Sequence, residues 1–459
     1  MAKQSPGPRW WALLPLALAS CTTYVARPLD TADPVARYQA RRLDDPALAA
    51  VLDSLDVHPS PAGWRDWDLA AAAWVMRPER PRVLAEISVA EAARLSADAR
   101  PSPGLATEAE YAFNGAGSEP RFGLALAALF TIETGGKHGA RIARAEAAVL
   151  AAMARAAEEA WEIRWRVRTA LSERETARRR WETAVAELAL SDSVVGLMRA
   201  RYQEGAVPKT EVARTQADRE EWAAEVAARV RDLEDKRVSL AIVIGVPMAE
   251  VERTPVRADS ARLCPQPAGG ASLERTALES RRELYRVLAE YQVAEGDVRV
   301  EVARSWPDVT LGPGLFFDHG VNKWTIAFGL PSLLLHGNRG PIREVEARRE
   351  VAARRVAEMQ EQVIGQVEQA ITNCATAVGE VAALDVSGAR LRAELAERAY
   401  QRGEIGRLEV VGARLELARA SRRMTDSAAR LLSAGLDFER AMGIWTGVSS
   451  LPRPEKGEL

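Results

Sequence analysis

The chain has 459 residues, 47% of them apolar and 27% charged, which excludes wholesale disorder and leaves room for about three average domains. Lys plus Arg (62) nearly balances Asp plus Glu (64), so the basic excess of a general nucleic-acid binder is absent. The 3 Cys and 4 His are unclustered, which excludes a zinc ribbon or a disulfide scaffold, and 6% aromatics with Ala- and Arg-rich stretches is the composition of long helices.

Lys3 and Arg9 precede an apolar run, Trp10 to Ala19, that ends in Leu18-Ala19-Ser20-Cys21. A charged start, a short apolar core and small residues at the cut describe a secretory signal over 1–20. The tetrad resembles a bacterial lipobox, in which Cys21 becomes the lipidated first residue of the mature chain. Acyl chains there would anchor at about 0.8 kcal/mol per buried methylene. Thr22 gives no signal for retention at an inner membrane. No later stretch holds eighteen uninterrupted apolar residues, so any membrane crossing falls to strands.

Residues 30–102 are weakly periodic, apart from two helical stretches, Trp64 to Val75 and Val83 to Ala99. A pair of strand-like segments follows, Leu105 to Asn114 and Arg121 to Ile132, around the turn formers Gly115-Ala116-Gly117-Ser118. Phe122, Leu124 and Leu126 share one face. An unbroken helix is expected from Ala140 to Tyr202, with a seam of small residues at Ala145, Val149, Ala152, Ala156, Ala160, Ile163 and Val167. The chain turns at Gly205–Pro208 and runs back as a helix over 210–244.

The same order then repeats. Tyr202-Gln203-Glu204-Gly205 recurs as Tyr400-Gln401-Arg402-Gly403, and Ile244-Gly245 as Met442-Gly443, each 198 residues on. Gly139 recurs as Gly340 and Pro103 as Pro307, so the offset drifts from 204 to 198 along the chain. The second copy has strand segments Val309 to Phe317 and Trp324 to Leu335 around Asp318–Asn322. A long helix is expected from Ile342 to Tyr400, with a seam at Val356, Met359, Val363, Val367, Ala370, Cys374, Val378, Val381 and Leu384. A break at Gly403–Gly406 and a return helix over 407–442 complete it. This divides the chain into signal 1–20, lipidated segment 21–63, first repeat 64–245, linker 246–272, second repeat 273–443 and tail 444–459. The linker, rich in Pro and Gly, reads as irregular.

Strands of about ten residues suit a tilted bilayer crossing. Four strands cannot close a barrel, and an open edge cannot face lipid, so a spanning sheet needs strands from further copies of the chain. Alternation of this kind also fits a hairpin in water.

Little in the chain promises chemistry. His58, His138, His319 and His336 are too scattered for a metal site. Cys374 reads as a small apolar filler of the seam, and a bond from Cys264 to Cys374 is open. Gly135-Gly136-Lys137 lacks phosphate-loop spacing, and no nucleophile–base pair stands out, so neither an enzyme nor a bound cofactor beyond the lipid is expected.

The paired Tyr-x-x-Gly tips, the helix-to-Gly endings and the Pro-led strands resemble the TolC family of bacterial outer-membrane efflux proteins over about Trp64 to Gly443. Ile132-Glu133-Thr134-Gly135-Gly136-Lys137, Asn338-Arg339-Gly340-Pro341-Ile342, Trp306-Pro307-Asp308 and Asn322-Lys323-Trp324 are similar to its cobalt–zinc–cadmium branch. The resemblance implies a mainly α fold with a small β part. Helical hairpins would form a trimeric α-barrel under a shared twelve-stranded transmembrane β-barrel. It also implies a homotrimer in the outer membrane with a periplasmic extension, a periplasmic adaptor protein, and a proton-driven inner-membrane pump of the resistance–nodulation–division (RND) type. By the same resemblance Tyr202, Gly205, Val207, Tyr400, Gly403 and Ile405 are adaptor contacts, although Pro208 departs from the family's small polar residue. The expected function is a passive exit duct, for heavy-metal cations or for organic toxicants. A lipid-anchored periplasmic coiled-coil scaffold is the alternative.

Overall fold

The computed structural model describes residues 24–29, 33–60, 62–111, 113, 121–257, 264, 270–318, 320–330 and 337–444. Cys21, the turn at 115–118, His319, His336 and the tail from 445 lie outside them. Residues through Arg41 form one unit. It carries the short helix α1 (Pro34–Gln39), where the Asp33 carboxylate accepts from the N–H groups of Val35 and Ala36.

The second unit starts at Arg42 and holds everything else. Its first helices are α2 (Pro46–Ser54), α3 (Asp66–Met76) and α4 (Glu79–Asp98). Strands β1 (Gly104–Tyr111) and β2 (Phe122–Ile132) lead into α5 (Lys137–Gln203) and α6 (Lys209–Ile244). A short α7 (Met248–Arg253) opens the linker. Then come α8 (Gly270–Ser280) and α9 (Arg282–Arg304), β3 (Val309–Asp318) and β4 (Val321–Gly329). Helices α10 (Arg339–Ala382), α11 (Val386–Gln401) and α12 (Arg407–Met442) end the described chain. The 67 residues of α5 make it about 100 Å long.

The duplication is physical. Ala145, Ile163, Val167, Ala170 and Ala177 of α5 are buried, and so are Val345, Val363, Val367, Ala370 and Ala377 of α10, each 200 positions on. In the first repeat Ile163, Val167 and Ala170 pack with Leu69 and Ala72 of α3 and Leu240 and Ile244 of α6. In the second, Val363, Val367 and Ala370 pack with Ala277 of α8 and Met442 of α12. Two left-handed residues precede each long helix, Gly135 and Gly136 in one repeat and Gly337 and Asn338 in the other. At Gly135 a Cβ would lie 2.7 Å from the Trp306 side chain, so the turn into α5 admits no larger residue.

The repeats are clamped together where α5 crosses α12. Arg168 pairs with Glu439 and, at 3.1 Å, with Asp66; both carboxylates are buried and the arginine is largely so. The guanidinium groups of Arg164 and Arg282 both contact the Trp161 ring, 5.2 and 4.4 Å from its centre.

Several expectations need correction. The second long helix is not continuous: it stops at Ala382, and the Asp385 carboxylate accepts from the Gly388 N–H at 2.7 Å to cap a new helix. Val378, placed on the seam, is 46% exposed, and Ala377 is the buried residue there. Helices α8 and α9 were not foreseen; they are the counterparts of α3 and α4. The linker is partly ordered, with α7 and a parallel bridge from Trp64 to Val256. Cys374 is no simple filler, because it is disulfide-bonded to Cys264, with the Cα atoms 5.3 Å apart. Finally β4 begins at Val321, because Lys323 and Asn322 pair with Phe316 and Phe317 and leave a tighter turn than 318–322.

Candidate functional site: a two-faced sheet and paired helical tips

The four strands form one antiparallel meander in the order β1-β2-β3-β4. Register decides its two faces, because directly opposed residues share a face. Thr107, Leu126, Leu315 and Trp324 stand in one row, and Ala109, Leu124, Phe317 and Asn322 in the next. The same face carries Leu105, Tyr111, Phe122, Phe130, Leu311, Ile326 and Phe328, so it is almost wholly apolar. It is also exposed: Trp324 81%, Phe328 75% and Ile326 64%. The opposite face carries Glu108, Glu110, Thr131, Thr310, Asp318, Lys323 and Thr325 among Gly and Ala, with Leu129, Phe316 and Val321 as its larger apolar residues. At Gly314 an added Cβ would lie 2.7 Å from the Leu126 carbonyl oxygen. An apolar face this large on a monomer's surface marks a contact with lipid or protein. Among the described residues β1 and β4 each pair on one side only.

Below the sheet, polar groups tie strands to helices. Lys137 at the start of α5 bonds Asp308 at 2.6 Å, just before β3, while the Thr134 N–H donates to the same carboxylate at 3.2 Å. Arg141 forks onto Glu133 and holds that carboxyl below its ordinary range. His138 bonds the Asp98 carbonyl at 2.9 Å, and His58 lies beside Asp53 and Asp56. Neither histidine belongs to a metal-ligand cluster; among the described residues there is none. The Ile132–Lys137 motif thus works as a strand-to-helix joint.

The candidate adaptor residues sit at two equivalent helix ends. Gly205 (φ +75°) and Gly403 (φ +74°) are left-handed caps. Ala206 N–H donates to the Arg201 carbonyl and Gly205 N–H to Tyr202; Glu404 and Gly403 do the same to Ala399 and Tyr400. Each is a Schellman cap. Nothing lies within 4 Å of where either glycine's Cβ would be, so backbone conformation alone selects glycine. Tyr202 and Tyr400 are 45% and 41% exposed, while Val207 and Ile405 are half-buried beside them.

One feature was invisible in the sequence. A cavity of about 650 Å³ opens between α5, α6 and α12, lined by Ser191, Asp218, Trp222, Glu225, Arg419 and Arg422. Glu187 of α5 is 0% exposed nearby. Its Oε1 lies 3.4 Å from Arg422 Nε, but neither carboxylate oxygen accepts a hydrogen bond. Burial pushes this carboxyl up, against the pull of Arg422 and Arg419. In the sequence Glu187 is a single acidic residue in the run Ala184-Val185-Ala186-Glu187-Leu188-Ala189-Leu190, and one Glu on a long helix reads as solvated surface until the neighbouring helices are placed.

The family model for outer membrane efflux proteins matches residues 79–246. No curated protein matches the chain. Among solved structures, the chain is similar to the outer membrane protein VceC of Vibrio cholerae. Identity is 19% over 82% of this chain and 96% of that one, with a TM-score of 0.65. It is also similar to CusC (15%, 82% and 91%, 0.65) and to the outer-membrane channel OprN (17%, 87% and 91%, 0.66). The fold is therefore that of the outer-membrane efflux channels: long helical hairpins carrying a small antiparallel sheet. These proteins are transport ducts and not enzymes.

Proposed function

We propose that this chain is the outer-membrane exit duct of an efflux assembly, passive in itself and built as a homotrimer. The observation that carries the reading is the two-faced sheet: an exposed apolar face, a small and polar reverse, and outer strands with a free edge. In hydrocarbon each unpaired backbone group costs several kcal/mol, so β4 of one copy pairs with β1 of the next until the ring closes. Three copies give twelve strands, with the polar face lining the pore and the long helices continuing it into the periplasm.

On this reading Cys21 carries the lipid anchor in the outer membrane. Tyr202, Gly205, Val207, Tyr400, Gly403 and Ile405 meet a periplasmic adaptor, which couples the duct to an inner-membrane pump of the RND type. The cargo is heavy-metal cations rather than organic toxicants; what supports this is the similarity of the Ile132–Lys137 and Asn338–Ile342 sequences to the cobalt–zinc–cadmium branch.

Two measurements test it. With Cys21→Ser removing the lipid, a barrel stays in the outer membrane and migrates heat-modifiably. Release into the periplasm refutes the duct and favours the scaffold. Deleting the chain, with pump and adaptor present, sensitises cells to zinc, cobalt and cadmium. Unchanged metal tolerance with new sensitivity to dyes or antibiotics removes the metal assignment.

A further inference from the structure

The duplicated chain contains, once, a contact that its own symmetry requires twice. Helix α5 is packed by α4 of its own repeat and by α9 of the other. Helix α10 is packed by α9, α12 and α8, and among the described residues the helices packed on α4 are α5 and α3. The outer faces of α4 and α10 are therefore the two halves of an unmade α9–α5 contact.

The made contact has a defined chemistry. Arg286 of α9 bonds Glu158 of α5, Glu290 of α9 bonds Arg155 at 3.1 Å, and Arg286 and Glu290 bond each other at 3.1 Å. Ala151, on the Arg155–Glu158 face of α5, is 2% exposed. The unmade contact repeats the chemistry residue for residue. Arg82-Val83-Leu84-Ala85-Glu86 of α4 is identical to Arg286-Val287-Leu288-Ala289-Glu290 of α9, 204 positions on. Val83 and Val287 are both buried, and Leu84 and Leu288 both exposed, so the two helices share their rotational phase as well. Arg82 and Glu86 form the same intrahelical pair, at 2.7 Å, and a second Arg82 nitrogen bonds Glu159 of its own α5 at 3.2 Å. On the other side, the 200-residue offset fixed by five buried pairs turns Arg155 and Glu158 into Arg355 and Glu358. Both are exposed, and neither has an ion-pair partner among the described residues. Val351, where Ala151 is buried, is 53% exposed.

We infer that a second copy of this chain occupies this surface, seating α10 of one subunit against α4 of the next. Arg82 pairs with Glu358 of the partner subunit, and Glu86 with Arg355 of the partner subunit. Two different patches meet, so the contact is head-to-tail and propagates until it closes into a ring. This rests on the duct reading and adds the residues that set subunit register. Exposed pairs of this kind contribute little to affinity but penalise mispaired charges, which suits a role in register.

The test uses the full-length chain in outer membranes. Under oxidation Glu86→Cys/Arg355→Cys gives covalent dimers and trimers. The control Arg155→Cys/Glu290→Cys closes within one chain and leaves the monomer mass unchanged. Arg82→Glu/Glu86→Arg/Glu159→Arg keeps the α4 pairs within the subunit but loses the SDS-resistant oligomer, and adding Arg355→Glu/Glu358→Arg restores it. An SDS-resistant wild-type oligomer whose Glu86→Cys/Arg355→Cys form stays monomeric when denatured overturns this interface and leaves the duct standing. A wild type that is monomeric in membranes overturns both.

Discussion

A lysine can be placed at one depth of the sheet on either face. Leu126 lies at the middle of β2, opposite Leu315, on the apolar face; Thr325 of β4 belongs to the adjacent row, on the polar face. If the apolar face meets lipid, Leu126→Lys puts an ammonium near the bilayer midplane, which costs about 2–4 kcal/mol in a transmembrane barrel. At about 1.4 kcal/mol per tenfold, each copy's insertion equilibrium falls roughly 30- to 1,000-fold. A ring of identical subunits suffers this at every copy. Thr325→Lys, one row away on the pore side, leaves insertion close to the wild type. The assay is the fraction of chain in the heat-modifiable, SDS-resistant form, in outer membranes or after refolding into vesicles. Equal insertion of both variants refutes the sidedness argument, and so does a worse defect for Thr325→Lys.

Further predictions concern the helical part. Burial raises Glu187, so the folded state holds its proton to higher pH than the unfolded chain does, and stability falls as pH rises from the ordinary glutamate range through the raised value. Glu187→Gln is expected to stabilise at pH 7 by about 1 kcal/mol and to flatten this dependence, read as thermal melts from pH 4.5 to 7. A variant no more stable than wild type at pH 7 contradicts it. Arg168→Ala removes the guanidinium shared by the buried Asp66 and Glu439 carboxylates and should cost about 3 kcal/mol in the same melts, with Arg168→Lys only a partial remedy. The Cys264–Cys374 bond spans 110 residues, so reducing it lowers stability by at most about 4.7 kcal/mol. Thiol labelling of the unreduced mature chain should find neither cysteine free.

The sequence shows the duplication, the hairpins, the strand starts within three residues and both capped tips, because each rests on local signals: glycine at left-handed caps, proline at strand starts, period-2 and period-3.6 patterns. What it hides depends on partners distant in the chain. Glu187 looks like any surface glutamate until α6 and α12 are laid beside α5. Val378 and Ala377 are equally plausible seam residues until α12 selects one. The identity of residues 82–86 with 286–290 was plainly visible, but its meaning waited for α9 to be seen wedged between two long helices while α4 had only one. Offsets drifting from 204 to 198 register as small insertions and say nothing of how a helix absorbs them.

That absorption explains the largest departure from expectation. As far as Ala177 and Ala377 the two long helices keep an offset of 200. From Ser191 and Val195, buried like Ala389 and Ala393, it is 198. The second repeat has thus lost two residues between these points. Within a continuous helix, that loss turns everything beyond it by about 200° and sends the buried face of α11 to solvent. The helix stops at Ala382 instead and restarts at Val386, so that Ala389 and Ala393 return to the face set by Ser191 and Val195. Asp385 is the counterpart of Glu187, and the same acidic position is resolved in two ways. In the broken helix its carboxylate stands in solvent and caps a helix N-terminus. In the unbroken one it is carried into the interior, beside Arg422, without a hydrogen bond. The helix break is therefore confined to one of the two long hairpins, the one whose tip carries Tyr400, Gly403 and Ile405.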